Sequence, residues 1–487
     1  MEKFNLGIHG SHNAAIAISL GGKVLEVVEL ERWVGIKNAA FWYYYPIENA
    51  EEILNNILDY FKNKYGAKRY DWAMHQSVPL EKLNLLRADN TKYVPHHIAH
   101  VSNAMYQSAS QRALVVSFDG GSDNGHFNIY NTEKGQNPVL ILQSKYDLCV
   151  PYAAMGQYLF DIKKEEDFWI GNLTYAGKVM GLSSYGKEDP DLLKKSKELF
   201  EKQVTDDVGL AHKNWKKISS SSDKKNDSAK NLAFSTQFEF ERKFKEIANK
   251  TIASRDKNRE LIFSGGGSMN IINNTAFKAF VSPNSDDRGL ALGCLLHHLR
   301  PSERLDSTYL GPLPWDSKPE GKGHTVKSIG NMLKSGKILG LIQGRMEHGA
   351  RALGNRSILC IPTEGIKDKL NTSVKKREWF RPFAAVCREE NASKYFTSYD
   401  MHAYMTHNVF CKTNEFPGIM HIDNTCRLQT VTKEQNLFLW KLLGEFPVLL
   451  NTSFNIMGKP ILNTYREALW MKENTEIDEV ITESEIL

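Results

Sequence analysis

The sequence predicts an α/β protein built as two domains, and three observations carry that expectation. The chain has 487 residues, more than one hydrophobic core usually supports. Apolar strands that end in Gly-rich polar loops recur along it. A stretch around 301–322, within PSERLDSTYLGPLPWDSKPEGKG, is rich in Pro, Gly and Ser and separates two such regions. Hydrophobic residues at 41% and charged residues at 24% are ordinary for a soluble globular protein. No apolar run has the length of a membrane span, and MEKFNLGIHGSHNAA lacks the order of a signal peptide. The expectation is therefore no membrane partner and a cytoplasmic location, that of the host cell if a phage carries the gene. The six cysteines are scattered with no C-x-x-C pair, which argues for reduced thiols.

Taken in order, FNLGIHG and AAIAISL read as strands, followed by KVLEVVEL after a Gly-Gly turn. The unit recurs in ALVVSFDGG, whose Gly/Ser/Asp/Asn loop leads into HFNIYN. Two such hairpins fit the internal duplication of actin-like ATPase and sugar-kinase folds, although any α/β protein contains strand–Gly–strand units. Between them IENAEEILNNILDYFKNKYG repeats its apolar residues at helical spacing. Residues 211–230 hold six lysines and five serines and read as an exposed, mobile insertion. ELIFSGGGSMNIINN is a strand, a triple-Gly turn and a helix start. Beyond the boundary, KILGLIQGRMEHGARALGNRSILCIP and PVLLNTSFN are strands flanking polar loops, so the second domain is α/β as well.

Three constellations could carry chemistry. In VPHHIAHVSNAM, Pro95 suits a first helical turn. His96 and His100 then share one face, a spacing that lets two imidazoles reach one metal, while His97 points elsewhere. Asp119 at the end of ALVVSFD and Asp287 in SPNSDDRGLALG, with Asp286 as its rival, could complete a set suited to iron, manganese or zinc. Helix capping or packing would explain the histidines equally well. The glycines 265–267 can bring backbone N–H groups to a phosphate, or serve only as a tight turn. Arg345, Arg351, Arg356, Lys375, Arg377 and Arg381 alternate with Gly, Trp, Phe and Pro, a pattern that fits a concave anion pocket better than a solvated face.

In order along nearly the whole chain, GIHGSHNAA, HHIAHVSNA, SFDGGSDNG, GKVMGLSSYG, FSGGGSMN, DRGLALG, GRMEHGARALGNRSI, KKREWFRPFA, HIDNTCRLQTV and LLNTSFNIMGKP resemble the carbamoyltransferase family of nodulation protein U and the antibiotic O-carbamoyltransferases. The resemblance implies an N-terminal actin-like domain over 1–312 and a C-terminal YrdC-like domain over 320–487. It implies that carbamoyl phosphate and ATP, the latter with Mg(II), give carbamoyl-adenylate and pyrophosphate in the second domain. The carbamoyl group then passes to an acceptor hydroxyl in the first, where a metal, usually iron(II), orients it. By motif, His96, His100, Asp119 and Asp287 would ligate the metal. Gly265, Gly266 and Asn270 would hold the adenylate, and Ser453 and Asn455 match a nucleotide-site element. Arg351, Lys375, Arg381 and Arg427 would grip phosphates. His12 and Lys37 would line the transfer site, with His12 as a base. Three departures stand out: Asn13 and Ala15 replace Asp and Ser of His-Asp-Ala-Ser, His348 and Ala350 replace Phe and Pro, and Lys459 replaces Glu.

The favoured acceptor is the hydroxymethyl group of 5-hydroxymethylcytosine in DNA. A net charge of +5, the lysine-rich stretch 211–230 and aromatics such as Trp42 and Trp215 suit a polyanion with stackable bases. Reaching a buried site would require extruding the base. The alternative is a hydroxyl on a small natural product or sugar. From other classes, a small-molecule kinase of actin-like fold would leave the arginine sites idle, and a nucleotide-driven switch would release no pyrophosphate. A homodimer is a further expectation.

Overall fold

The computed structural model describes residues 2–44, 46–121, 123–159, 161–162, 168–201, 228–397 and 403–487. Of the stretch 211–230, only the last three residues fall within it, where they begin the helix Ser228–Ala253. The reading of that stretch as an insertion, and of Trp215 as a stacking surface, lies outside the described residues.

Strands β1 (Phe4–His9), β2 (Ala15–Leu20), β3 (Lys23–Glu29), β4 (Tyr70–Gln76) and β5 (Ala88–Tyr93) form one sheet in the order β3-β2-β1-β4-β5. The first three meander antiparallel, and β4 and β5 run parallel to β1. A second sheet holds β6 (Arg112–Phe118), β7 (Phe127–Glu133), β8 (Val139–Ser144) and β9 (Glu260–Ser264) in the order β8-β7-β6-β9. Its β9 lies parallel to β6, and Phe280 bridges in parallel to Ile262 at the fifth position. The four strands of the second sheet repeat the order of β3-β2-β1-β4 in the first, an antiparallel meander with one further strand parallel to its innermost member. Apolar residues alternating with small polar loops produce it, because each meander buries one continuous face.

Small residues bring the sheets' functional ends together. The helix Leu290–Leu299 lies so close to β1 that a Cβ at Gly7 would fall 2.2 Å from Ala291 O. The same helix approaches the helix His96–Gln107 until a Cβ at Gly293 would fall 2.0 Å from Ala99 O. These contacts fix the loop after β1, the histidine helix and the turn at Asp287 against one another.

A third, mixed sheet has nine strands: β10 (Lys322–Gly323), β11 (Leu339–Ile342), β12 (Arg356–Cys360), β13 (Ala384–Arg388), β14 (Asn408–Phe410), β15 (Thr425–Val431), β16 (Leu449–Ser453), β17 (Glu479–Ile481) and β18 (Glu485–Ile486). Their order is β10-β18-β17-β11-β12-β16-β13-β15-β14. Its apolar residues do not stay apart from the rest. Leu353, Ala384, Tyr404 and Met405 pack in one cluster with Val101, Ala113, Val115 and Ile262. Among the described residues no helix is long and apolar enough to cross a membrane.

Candidate active site

Pro95 starts the helix His96–Gln107, so His96 and His100 fall one turn apart on a single face. His97 turns away, its Nδ1 2.7 Å from Ser117 Oγ and its Nε2 3.0 Å from Gly125 O. The end of β6 delivers Asp119. At the neighbouring turn, Asp286 accepts from Arg288 N at 3.2 Å and pairs with Arg288 Nη1 at 2.5 Å. That leaves Asp287, rather than its rival, facing the histidines. One donor atom each from His96, His100, Asp119 and Asp287 lies within 4.8 Å of all the others. His100 Nε2 is 3.1 Å from His96 Nε2, 3.4 Å from Asp119 Oδ2 and 3.3 Å from Asp287 Oδ1.

Burial holds His96 down at about 4. Burial also presses on His100, but Asp119 and Asp287 outweigh it and lift the group to about 9. Burial raises both carboxyls, yet His12, His100 and His96 keep Asp287 well below the usual carboxylate range, and Asp119 is lowered as well. Two buried nitrogens and two ionised oxygens form a hard-to-borderline donor set that fits a divalent first-row cation.

His12 stands beside this cluster, with Nε2 3.5 Å from Asp287 Oδ2. Asn13 Nδ2 donates to Asn38 Oδ1 at 3.2 Å, which turns Asn13 Oδ1 towards His12 Nδ1 at 3.1 Å. An Nδ1–H on His12 meets the amide oxygen of Asn13, and Nε2 faces the Asp287 carboxylate. His9 braces the loop from below, with Nδ1 2.6 Å from Gln76 Oε1 and Nε2 3.1 Å from His12 O. Lys37 lies near Glu31 and Arg288. Its side chain stays exposed to solvent within the cavity, and the surrounding protein lowers its ammonium, with Glu31 opposing and Arg288, Arg381 and Lys178 adding to the shift.

The triple-Gly loop follows β9. Gly265 has φ +89, and a Cβ there would fall 2.3 Å from Phe118 O, so only glycine fits between the strands. Gly266 N donates to Asp119 Oδ2. Asn270 caps the helix Ile271–Phe277 by accepting from Asn273 N at 3.1 Å, and its Nδ2 donates to Gln237 Oε1 at 2.9 Å.

The opposite wall comes from the nine-stranded sheet. Lys375 Nζ donates to Ser453 O at 2.5 Å, Ser453 Oγ at 3.2 Å and Asn455 Oδ1 at 2.6 Å. Arg381 Nη1 lies 3.4 Å from Glu378 Oε2, whose other oxygen is 3.1 Å from Lys178 Nζ. Arg351 Nε is a buried donor with no hydrogen-bond partner among the described residues, as suits a guanidinium placed to receive an anion. Burial first, then neighbouring cations, push Lys375, Arg377 and Arg427 well below their usual ranges.

One cavity of about 900 Å³ joins the two walls. Its lining includes every site residue expected from the sequence except His100 and Gly265, which lie outside that wall. Two of the six grouped arginines and lysines do not belong to it. Arg345 donates to Gly311 O, Leu25 O and Leu310 O at 2.9, 2.8 and 2.6 Å. Arg356 is fully buried and donates to Gln343 O, Gly344 O and Asn463 Oδ1 at 2.5, 3.2 and 2.9 Å. Both hold backbone carbonyls that would otherwise be orphaned, and neither faces the cavity. Arg377, one of the six, does line it; conversely, Lys178 and Arg288 line it without having been given a site role. Lys178 left a trace in the sequence: it is the one charged residue in FWIGNLTYAGKVMGLS, the helix Phe168–Ser183.

Residues 26–296 match the family described as carbamoyltransferase N-terminus, and residues 330–487 match carbamoyltransferase C-terminus. The chain belongs to the carbamoyltransferase family and is an enzyme of that class, as the ordered motifs implied. It is 28% identical to nodulation protein NolNO of Sinorhizobium fredii, over 98% of this chain and 79% of that protein. It is 29% identical to an uncharacterised protein of Methanocaldococcus jannaschii over 95% of each. A 3'-hydroxymethylcephem-O-carbamoyltransferase of Streptomyces clavuligerus is 31% identical over 50% of this chain and 51% of its own.

Proposed function

We propose that this enzyme makes carbamoyl-adenylate from carbamoyl phosphate and ATP and transfers the carbamoyl group to an acceptor hydroxyl. The single cavity carries this reading, because it puts a phosphate-gripping wall and a transfer wall within reach of one bound molecule. The first 312 residues act as an actin-like transfer domain, and residues 320–487 as a YrdC-like adenylating domain. Water cleaves carbamoyl phosphate to carbamate and phosphate. The carbamate oxygen then attacks the α-phosphorus of ATP, and pyrophosphate leaves. Arg351, Lys375, Arg381 and Arg427 hold the phosphate oxygens and spread the developing charge, with Mg(II) accompanying ATP. Ser453 and Asn455 orient the nucleotide on β16, and the adenylate lies against Gly266 and the amide of Asn270, with Gly265 shaping the turn beneath them.

In the second step the acceptor oxygen attacks the carbamoyl carbon and AMP leaves. The hydroxyl proton passes to Nε2 of His12, and Asp287 stabilises the imidazolium that results. His96, His100, Asp119 and Asp287 would hold a divalent metal, iron(II) in our reading, which supplies Lewis-acid and templating chemistry when bound. Lys37 keeps the AMP side of the transfer site cationic. The enclosing walls protect a hydrolysable intermediate from water.

A hydroxymethyl group on a small molecule is the first choice of acceptor, supported by the name of the cephem-modifying relative. Transfer to 5-hydroxymethylcytosine in DNA remains the second reading, resting on charge and on the stretch 211–230. The test incubates the protein with ATP, carbamoyl phosphate and iron(II) and a panel of hydroxymethyl acceptors, DNA containing 5-hydroxymethylcytosine among them. Mass spectrometry should show the gain of one HNCO, with pyrophosphate released in step. Neither signal on any acceptor refutes the reading.

A further inference from the structure

The cavity carries one feature that the transfer chemistry does not use. Phe41 N and Trp42 N both donate to Gly10 O, at 3.0 and 2.9 Å, and Ile47 N donates to Ala40 O at 3.0 Å. A Cβ at Gly10 would fall 2.5 Å from Trp42 Cε3, so this loop is seated directly on the turn that precedes His12. Its base is pinned, and its tip is strained. Tyr43 and Tyr44 have φ +59 and +43, the left-handed region in which a bulky side chain is an outlier. Burial does not offset that strain, because the two side chains are 51% and 61% exposed. Both nevertheless line the cavity, which places them at its mouth. The Tyr44 ring meets the His12 imidazole edge-on, with 6.2 Å between centroids. A third exposed aromatic on the lining, Tyr93, is tied through its hydroxyl to Asp123, which also accepts from His96 N.

Strain retained at exposed rings that line a cavity points to a functional use for them. Among the residues lining the cavity, these two offer exposed aromatic faces beside His12, on the side away from the cationic wall. We propose that Tyr43 and Tyr44 are the acceptor-selecting platform, and that they take the flat face of an unsaturated ring bearing a hydroxymethyl group. Stacking on the tyrosines aims that hydroxymethyl at His12 Nε2. This inference rests on the transfer reading, which sets the acceptor oxygen at His12. An open-chain alcohol has no ring face to offer the platform, and a saturated pyranoside offers only the weaker contact of its C–H face.

Calorimetry on the full chain, without ATP or carbamoyl phosphate, measures binding of 5-hydroxymethylcytidine, methyl glucopyranoside and 1,4-butanediol. The flat ring should bind about tenfold tighter than either comparator, the gap expected of one good aromatic stack. Tyr44→Phe should keep the gap and Tyr44→Gly should abolish it. Glycine accepts a positive φ without strain, so the melting temperature of Tyr44→Gly should equal or exceed that of the wild type. That separates a lost ligand contact from a damaged fold. Equal binding of the three probes by the wild type, or an unchanged gap in the Tyr43→Gly/Tyr44→Gly double variant, overturns the proposal. A gap that behaves as expected, with no carbamoyl transfer once ATP and carbamoyl phosphate are added, leaves the platform standing and sinks the transfer reading instead.

Discussion

Asn13 and His348 each replace a residue of the family pattern, and each is explained by the hydrogen bonds its new side chain makes. Asn13 sets its amide oxygen against His12 Nδ1 and is itself held by Asn38. His348 Nδ1 accepts from Asn284 Nδ2 at 2.6 Å and its Nε2 donates to Arg288 O at 2.9 Å, tying the Arg351 loop to the turn at Asp287. Burial pushes His348 down to about 3 from an ordinary 6.5. A folded value below the unfolded one means that neutral His348 is what the fold holds. Its contribution is complete above pH 6.5 and is lost as pH falls towards 3. Between pH 7 and pH 5 this one group should remove about 2 kcal/mol of stability. In urea titrations at the two pH values, His348→Phe should show a drop smaller by that amount. At the ligand cluster, Asp287→Ala should lower bound metal by at least the ~10–100-fold that losing an outer-shell partner costs, read by elemental mass spectrometry. Carbamoyl transfer should fall with it.

The loops decide the site at the scale of elements, and they were only partly legible. Strand–polar loop–strand units show in sequence because an apolar run broken by Gly, Asp and Asn has few other readings. β1–β2 and β6–β7 follow from that pattern directly. The i,i+4 histidines were legible for the same local reason. Which arginine of a Gly-rich loop turns inward was not. Glu347 Oε1 gathers Leu353 N, Asn355 N and Arg356 N at 2.6, 2.8 and 3.1 Å, and Gly349 takes φ +120 against Pro283 O. Arg32 donates to Glu347 O and Gly349 O from the other end of the sequence. These contacts send Arg356 into the core and Arg351 into the cavity, and no local pattern encodes them. Gly265→Ala should destabilise the protein by ~2–4 kcal/mol in chemical denaturation, since the added Cβ meets backbone and the φ is unfavourable.

At the scale of the whole molecule, two domains with two separate sites were the expectation, and a shared cavity is the finding. The link between the two halves is buried and polar as well as apolar. Lys178 and Glu378 pair with 4% and 1% of their side chains exposed. Arg32, its side chain 1% exposed, donates to Glu347 O and Gly349 O, and Glu29 accepts from Gly349 N at 2.7 Å. Long-range pairs like these leave no periodic trace, so the sequence separates what the structure joins. Domains held this firmly should unfold together. Calorimetry should show one transition in the wild type and a broadened or split one in Glu378→Ala, which strands two buried cations.

The cation wall has a consequence for how such a chain can evolve. Arg351, Lys375, Arg377, Arg381 and Arg427 share one surface; burial lowers all five, and neighbouring cations add to it at Arg351, Lys375, Arg377 and Arg427. Crowding like charges works against the fold whenever it stands alone, and only a polyanion relieves it. Stability and catalysis therefore pull on these positions in opposite directions. Arg427→Gln should melt at a higher temperature than the wild type while losing activity. A lineage that gave up its substrate would be free to drift towards that sturdier, idle protein.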